Sequence, residues 1–467
     1  MIGVVGAGYA GLAAAYRLQQ RGHEVRVFEA SDDLGGLAAA YETGGDPIEQ
    51  YYHHLSKSEE TIVDLIDGLG LGDALEWRYM SNAYYVDGVV HPMDKPWEIL
   101  AYPHLSLYDK FRLGMLVLEV DVRSGIPQFD TYDDIEDFED VPVEEFLCEH
   151  TTRSVYESFW EPLLDAKFGS RKGDVSAAWL LGRIKFRGER DLLKGEILGY
   201  LRGGFGTLTE ALVDAVGREH ITTGARVTSL DGSEGPLDAT GRSHEATDGT
   251  LATDGSTDAR TGKQAVESLT IRTDDGTATY DVDGVVVAAM PNVLESLTGY
   301  PCDVDFQGTV CSVWSMDASL TDTYWLNIKD DAPFGVFIEH TNFVPPERYG
   351  GEHLYYTASY VQDPDEELWG MSNDEVEAHW RDGIADLFPR FDPESVNWVR
   401  TARNPRTAPI YERGYLDLVV PYDLGDAVAD GVYYAGMASR AQYPERSLNG
   451  AIEAGFACAD LIDEAQS

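Results

Sequence analysis

The opening stretch MIGVVGAGYAGLAAAYRLQQRGHEVRVFEASDDLGG, Met1 to Gly36, carries the strongest fold signal in the chain. Ile2–Val5 is a short apolar run of strand type. LAAAYRLQQRG, Leu12 to Gly22, follows as a helix with Gly22 as its stop, and EVRVFEA, Glu24 to Ala30, reads as a second strand. Strand, helix and strand make a complete β-α-β unit. Gly6, Gly8 and Gly11 place G-x-G-x-x-G at the strand-to-helix turn. In that pattern the first glycine permits the tight turn, the second lets backbone approach a pyrophosphate, and the third lets helix pack closely on sheet. The helix start offers unpaired N–H groups and the positive dipole end to an anion, and Ala10, within the glycine pattern, is a further cofactor-binding candidate. Glu29, eighteen residues beyond Gly11, is placed to accept hydrogen bonds from ribose hydroxyls. The stretch therefore predicts a dinucleotide site rather than an ordinary glycine-rich turn.

A second glycine pair, Gly35-Gly36, closes the stretch. Paired glycines just after the ribose acid resemble the FAD-binding members of this fold rather than NAD dehydrogenases. Relatives usually carry Arg next; Leu37 stands here and is carried as a cofactor contact.

Working outward, Ile62, Leu65, Ile66 and Leu69 repeat at helical spacing, and Asp87-Gly88 marks a hairpin between strand-like runs. From about 96 to 202 the pattern is mostly helical, with LGMLVLEVDV, Leu113 to Val122, read as a buried helix. GGFG at 203–206 reads as a helix entry, and Ile221–Leu230 as a strand. Residues 231–263 contain almost nothing apolar and read as a flexible acidic insertion. Strands resume at ESLTIRT, TATYDV and GVVVAAMP. Residues 299–405 alternate as a mixed sheet, with a helix near 373–387. The tail returns with a strand at Val432–Ala435 and a helix over Asn449–Ile462.

With that tail the chain resembles the FAD-dependent amine oxidase, protoporphyrinogen oxidase and phytoene desaturase superfamily over nearly its whole length. The motifs are the opening fingerprint, the GG element at 203, the VVVAAMP strand and the closing NGAIEAG. The resemblance implies an α/β fold: a Rossmann-like FAD-binding domain (1–78, 203–298 and 406–467) and a discontinuous substrate-binding domain of mixed sheet and helices (79–202 and 299–405). It implies non-covalent FAD, with Val227 beside the adenine and Gly436 and Met437 after the last strand. Met437 takes the place of the family's usual Asp. Asn449, Gly450, Ala451 and Ile452 would then start the helix facing the flavin ring. Amine oxidases commonly hold a lysine near flavin N5, but GTVCSVWSM, Gly308 to Met316, has none and no lysine follows Lys329. A protoporphyrinogen oxidase-like or desaturase-like dehydrogenation fits better.

Composition narrows the partners. The chain carries 82 acids against 35 bases, net −47, with only 9 lysines among those bases. The acids are dispersed, which describes a solvated surface rather than an interaction tail. Such a balance resembles proteins of salt-loving archaea, and it argues against nucleic-acid binding. Cys148, Cys302, Cys311 and Cys458 stand far apart with no zinc spacing, so no metal is expected and a reduced, cytoplasmic setting is. No apolar run is long enough to span a bilayer; peripheral membrane contact stays open.

Past the fingerprint comes QYYHHLSKS, Gln50 to Ser58. The resemblance puts this segment beside the flavin, making His53 and His54 candidate proton-transfer residues and Tyr52 a substrate contact. On a strand, adjacent side chains face opposite ways, so only one histidine is expected to face the ring. Tyr443 and Arg446 are further substrate candidates; Arg446 suits a carboxylate or phosphate, though pairing with a nearby acid is the favoured expectation. Three functions stand at this stage. One is an FAD-dependent oxidoreductase taking hydride from a bulky, partly apolar, tetrapyrrole- or isoprenoid-like substrate, with oxygen, a quinone or another electron acceptor. The others are a redox-neutral sugar-nucleotide mutase-like isomerase and a non-catalytic flavoprotein.

Overall fold

The computed structural model describes residues 1–117, 132–186, 190–191, 193–239 and 264–466. Ile2–Val5 is the centre of a parallel five-stranded sheet ordered Ile221–Thr222, Val25–Phe28, Ile2–Val5, Gly284–Val287, Val432–Tyr434. IGVV, GVVV and VYY are buried along their whole length, as continuous apolar runs covered on both faces should be. The opening helix spans Tyr9–Gln20, so it starts at Tyr9 rather than Leu12. Gly11 is tolerated inside it because the helix lies on the preceding turn: a Cβ there would sit 1.9 Å from the Gly6 carbonyl oxygen.

The expected single strand Ile221–Leu230 divides. Ile221–Thr222 joins the parallel sheet, while Arg226–Gly232 enters an antiparallel meander with Gly235–Pro236, Val266–Thr273 and Gly276–Asp281. Gly224, at φ +60°, lies between the two, and a left-handed residue cannot continue an extended strand. The insertion read as loop from 231 begins in this meander; residues 240–263 lie outside the described residues.

A seven-stranded sheet forms the second layer. Its order is Val396–Pro409, Phe306–Met316, His353–Val361, Val336–Glu339, Trp325–Ile328, Asn82–Val86, Val89–Pro92. Its pairs are antiparallel except Asn82–Val86 against Trp325–Ile328. The hairpin turns at Asp87 and Gly88, φ +52° and +74°, as its two-residue loop requires. Val396–Pro409 crosses the boundary expected at 405.

Helices including Leu107–Val117, Val143–His150, Glu161–Phe168 and Ala177–Phe186 occupy the expected helical region. Leu113–Val117 is helical; the rest of LGMLVLEVDV lies outside the described residues. The mostly helical reading misses the strand Gly195–Leu201, which pairs antiparallel with Leu75–Tyr79. That partner is remote in sequence, and local periodicity does not report it. The closing helix, Leu448–Gln466, lies against the opening helix. The contact is close: a Cβ on Gly455 would be 2.2 Å from the Ala10 carbonyl oxygen. Arg17 clamps it, donating to the two Asp460 carboxylate oxygens at 2.6 and 2.7 Å.

Candidate functional site

A cavity of about 680 Å³ is enclosed between the opening turn, the start of the closing helix and one face of the seven-stranded sheet. Gly6, Gly8, Ala10, Gly35, Gly36 and Leu37 line its first part. Gly6 has φ +100°, and a Cβ on it would meet the Ala288 carbonyl oxygen at 2.5 Å. The second glycine pair folds back on this turn: Gly35 N–H donates to the Ala7 carbonyl at 3.0 Å. A Cβ on Gly36 would come within 3.2 Å of Gly8 Cα. The helix start has no side-chain cap and no acid in its first turn, leaving its N–H groups and dipole for an anion. Glu29 projects into the cavity, its two oxygens accepting from Ala7 N–H at 2.8 Å and Ser31 N–H at 2.9 Å. Val227 lines the cavity nearby.

Gly436 and Met437, with Asn449, Gly450 and Ala451, line the cavity from the C-terminal part of the chain. Ser447 caps the closing helix, its hydroxyl accepting from Gly450 N–H at 3.0 Å. Asn449 anchors it, accepting from Ile62 N–H at 2.9 Å and donating to Glu453 at 2.8 Å. Gly11 and Ile452 are not on the cavity wall. Gly11 is spent on helix packing, and Ile452 is wholly buried in the core.

The remaining wall is rich in aromatic and basic side chains. Tyr52, His53 and His54 all reach it. Residues 51–54 are irregular rather than a strand, so the rule that only one histidine faces the ring does not apply. His53 Nδ1 lies 2.6 Å from the Tyr51 carbonyl, and burial lowers its pKa to about 4. His54 Nδ1 is 3.3 Å from the Tyr324 hydroxyl. Tyr52 packs edge-on to Trp325 at 5.1 Å between centroids, and its hydroxyl is 3.3 Å from that of Tyr360.

Tyr443 lines the cavity, but its hydroxyl donates to Glu139 at 2.6 Å and its ring stacks on Tyr415. It braces the wall rather than presenting a free hydroxyl. Arg446 overturns the favoured expectation of an acid partner. It makes no ion pair among the described residues, and its buried Nε has no hydrogen-bond partner.

Sequence reasoning missed Lys167, Arg183, Tyr360 and Arg403, all on the cavity wall. Lys167 pairs with Glu445, which also accepts from Arg183 at 2.6 Å. Burial lowers the Lys167 pKa. Burial would raise that of Tyr360, but Arg446 and Lys167 together hold it below the usual phenol value. The signal available in the sequence was the scarcity of lysine: Lys167 is one of nine, in an otherwise largely apolar helix, PLLDAKF.

A parallel sheet, a glycine-lined turn at an uncapped helix start, an acid facing the cavity and a second sheet roofing its far end are together suited to a dinucleotide. The chain belongs to the flavin containing amine oxidoreductase family, whose model matches residues 9–463. It is an oxidoreductase, and FAD is its cofactor. The uncapped helix start, the backbone cradle at Gly8 and Gly36 and the orientation of Glu29 suit that dinucleotide. Protoporphyrinogen oxidase 2 of Arabidopsis thaliana is 33% identical over 115 residues, 24% of this chain and 23% of that one. The match thus spans about a quarter of that relative. A solved structure from Exiguobacterium sp. 255-15, whose proposed activity is protoporphyrinogen oxidation, covers all of this chain and 99% of its own, with a TM-score of 0.74 and 18% identity. Reduced UDP-galactopyranose mutase covers 99% of this chain and 95% of its own, with a TM-score of 0.68 and 17% identity. Likeness at such identities describes the fold alone. Among the described residues no helix is long and apolar enough to cross a membrane.

Proposed function

We propose that the protein dehydrogenates a bulky, flat or extended substrate, in the manner of protoporphyrinogen oxidase. The observation that carries this reading is the wall formed by Tyr52, Trp325 and Tyr360 with His53 and His54. Aromatic side chains bury large apolar area with little rotamer cost and suit a planar or polyene substrate. FAD, when bound, supplies a two-electron acceptor at its ring nitrogen. Glu29 and the opening turn would hold the dinucleotide, and the start of the closing helix would offer its positive dipole end to the bound cofactor. His53 keeps its proton on Nδ1, held by the Tyr51 carbonyl, so Nε2 is an acceptor for the proton the substrate releases. The curated relative named above supports the porphyrinogen class.

The test is anaerobic mixing of FAD-loaded protein with a porphyrinogen, a linear polyene and a primary amine, following loss of visible flavin absorption. Bleaching by the porphyrinogen or polyene supports the proposal, and bleaching by the amine alone replaces it. Turnover of a UDP-sugar only after chemical reduction of the flavin would establish the mutase-like isomerase instead.

A further inference from the structure

Arg446 occupies a costly position. Its Nε is buried at the cavity wall without a hydrogen-bond partner, and it forms no ion pair among the described residues, so that only the longer-range field of Glu445 and the neighbouring phenols offsets its burial. Taking an unpaired charge out of water costs several kcal/mol. A chain with 82 acids has no shortage of side chains that could have neutralised it. Two further cations share the wall, Lys167 and Arg183, and both lean on the same carboxylate, Glu445. Arg403 adds a fourth, with its Nη2 buried and unpartnered while its other nitrogens donate to Asn373 and the Trp369 carbonyl. In a molecule of net charge −47, basic groups outnumber acids at this wall.

The hydroxyls between them are donors too. Tyr360 lies within electrostatic reach of both Arg446 and Lys167, and Tyr52 is 3.3 Å from it across the cleft. Two cations from different elements and a pair of phenols lining one cavity form a receptor for anionic oxygen. A guanidinium fork matches carboxylate or phosphate. The chain's overall negative field repels anions at long range, so their capture depends on such a local reversal of sign.

We propose that the cleft seats a carboxylate or phosphate group of the substrate between Arg446 and Lys167, against the Tyr52–Tyr360 hydroxyl pair. Arg183 acts through Glu445 to position Lys167. This rests on the oxidoreductase reading only in placing the anion beside the redox ring; the binding itself needs no turnover. Within that reading it favours an acid-bearing substrate over a pure hydrocarbon.

The experiment uses FAD-loaded protein at constant ionic strength. Benzoate, as a carboxylate probe, and UDP, as a phosphate probe, are titrated while the visible flavin spectrum is followed. Saturable perturbation by one or both is expected, and which probe works separates carboxylate from phosphate. In Arg446→Met and Lys167→Met the dissociation constant should rise about 10-fold or more with FAD content unchanged. Arg446→Lys should recover part of the loss, and it keeps the test open if the Met variant fails to fold. The proposal is overturned if neither probe perturbs the wild-type spectrum, or if both Met variants bind as tightly as wild type. It is overturned equally if Arg446→Met shifts the flavin midpoint potential while leaving probe affinity intact, since Arg446 would then serve the cofactor. Protein that binds the probe but is bleached by no substrate retains this site and loses the oxidoreductase reading. Bleaching without probe binding does the reverse.

Discussion

The imidazole Nδ1 of His53 lies 2.6 Å from the carbonyl oxygen of Tyr51. A carbonyl only accepts, so the proton is on Nδ1 and Nε2 is left as an acceptor. Burial, reinforced by Arg446, holds the pKa at about 4, so His53 is neutral across the physiological range. His53→Gln is expected to reduce turnover ~10²-fold with FAD content retained, since positioned proton transfer is worth about that much. Stability follows the same group. The unfolded chain binds a proton near pH 6.5 and the folded one only near 4, so stability is full above 6.5 and declines as pH falls toward 4. The gap amounts to about 3 kcal/mol at ~1.4 kcal/mol per pH unit. Denaturant titrations from pH 7.5 down to 4.5 check this; a slope unchanged in His53→Gln would remove His53 as its source.

Glu29 holds the turn through Ala7 N–H and Ser31 N–H and at the same time lines the cavity. Glu29→Ala should weaken FAD binding by about 10- to 100-fold, the worth of hydrogen bonds to a charged acceptor. Fluorescence titration of apoprotein with FAD measures it. Unchanged affinity would mean that the carboxylate serves only the backbone.

Much of this arrangement is visible in local sequence because its signals are local. Gly6 and Gly36, both at positive φ, are backbone requirements, and Asp87-Gly88 satisfies a two-residue turn. The helix expected near 373–387 spans Asn373–Leu387, started by a Ser372–Glu375 capping box. What stayed hidden depends on distant partners. Gly195–Leu201 is a strand because Leu75–Tyr79 lies beside it. Lys167 reaches the cleft because the helix Glu161–Phe168 packs near the seven-stranded sheet, and its partner Glu445 lies far along the chain. Arg446 looked like a cation that would pair with an acid on an acid-rich surface, whereas the fold turns its Nε inward.

Gly455 is the contact that sets the closing helix against the opening one. A Cβ there would lie 2.2 Å from the Ala10 carbonyl oxygen and 2.9 Å from Ala14 N. Backbone cannot yield as a flexible side chain does, so Gly455→Ala should cost about 1–3 kcal/mol. It should also loosen FAD by displacing Asn449–Ala451 from the cavity. Gly68→Ala, at the end of a helix with nothing within 4 Å of the added Cβ, is expected within about 0.5 kcal/mol of wild type. Thermal melts with and without FAD compare the two; equal melting temperatures would mean that the helices separate freely.

The charge balance makes a prediction whose sign follows from magnitude. Salt weakens ion pairs such as Arg21–Asp463 and Arg153–Glu144, but pairs on the surface contribute only about 0–1 kcal/mol each. Against them stands the repulsion of a net −47 distributed over one molecule. Raising salt from about 0.1 to 1 M shortens the screening length from ~10 to ~3 Å, which removes repulsion between neighbouring acids across most of the surface. The melting temperature should therefore rise steeply with potassium chloride and continue rising above 1 M. FAD should dissociate as salt is withdrawn, since the loosened chain no longer holds the closing helix on the opening turn. Circular dichroism melts and flavin fluorescence across a salt series read both effects. A melting temperature that is flat or falls with salt would show that the acids are compensated locally, and that this composition is not an adaptation to brine.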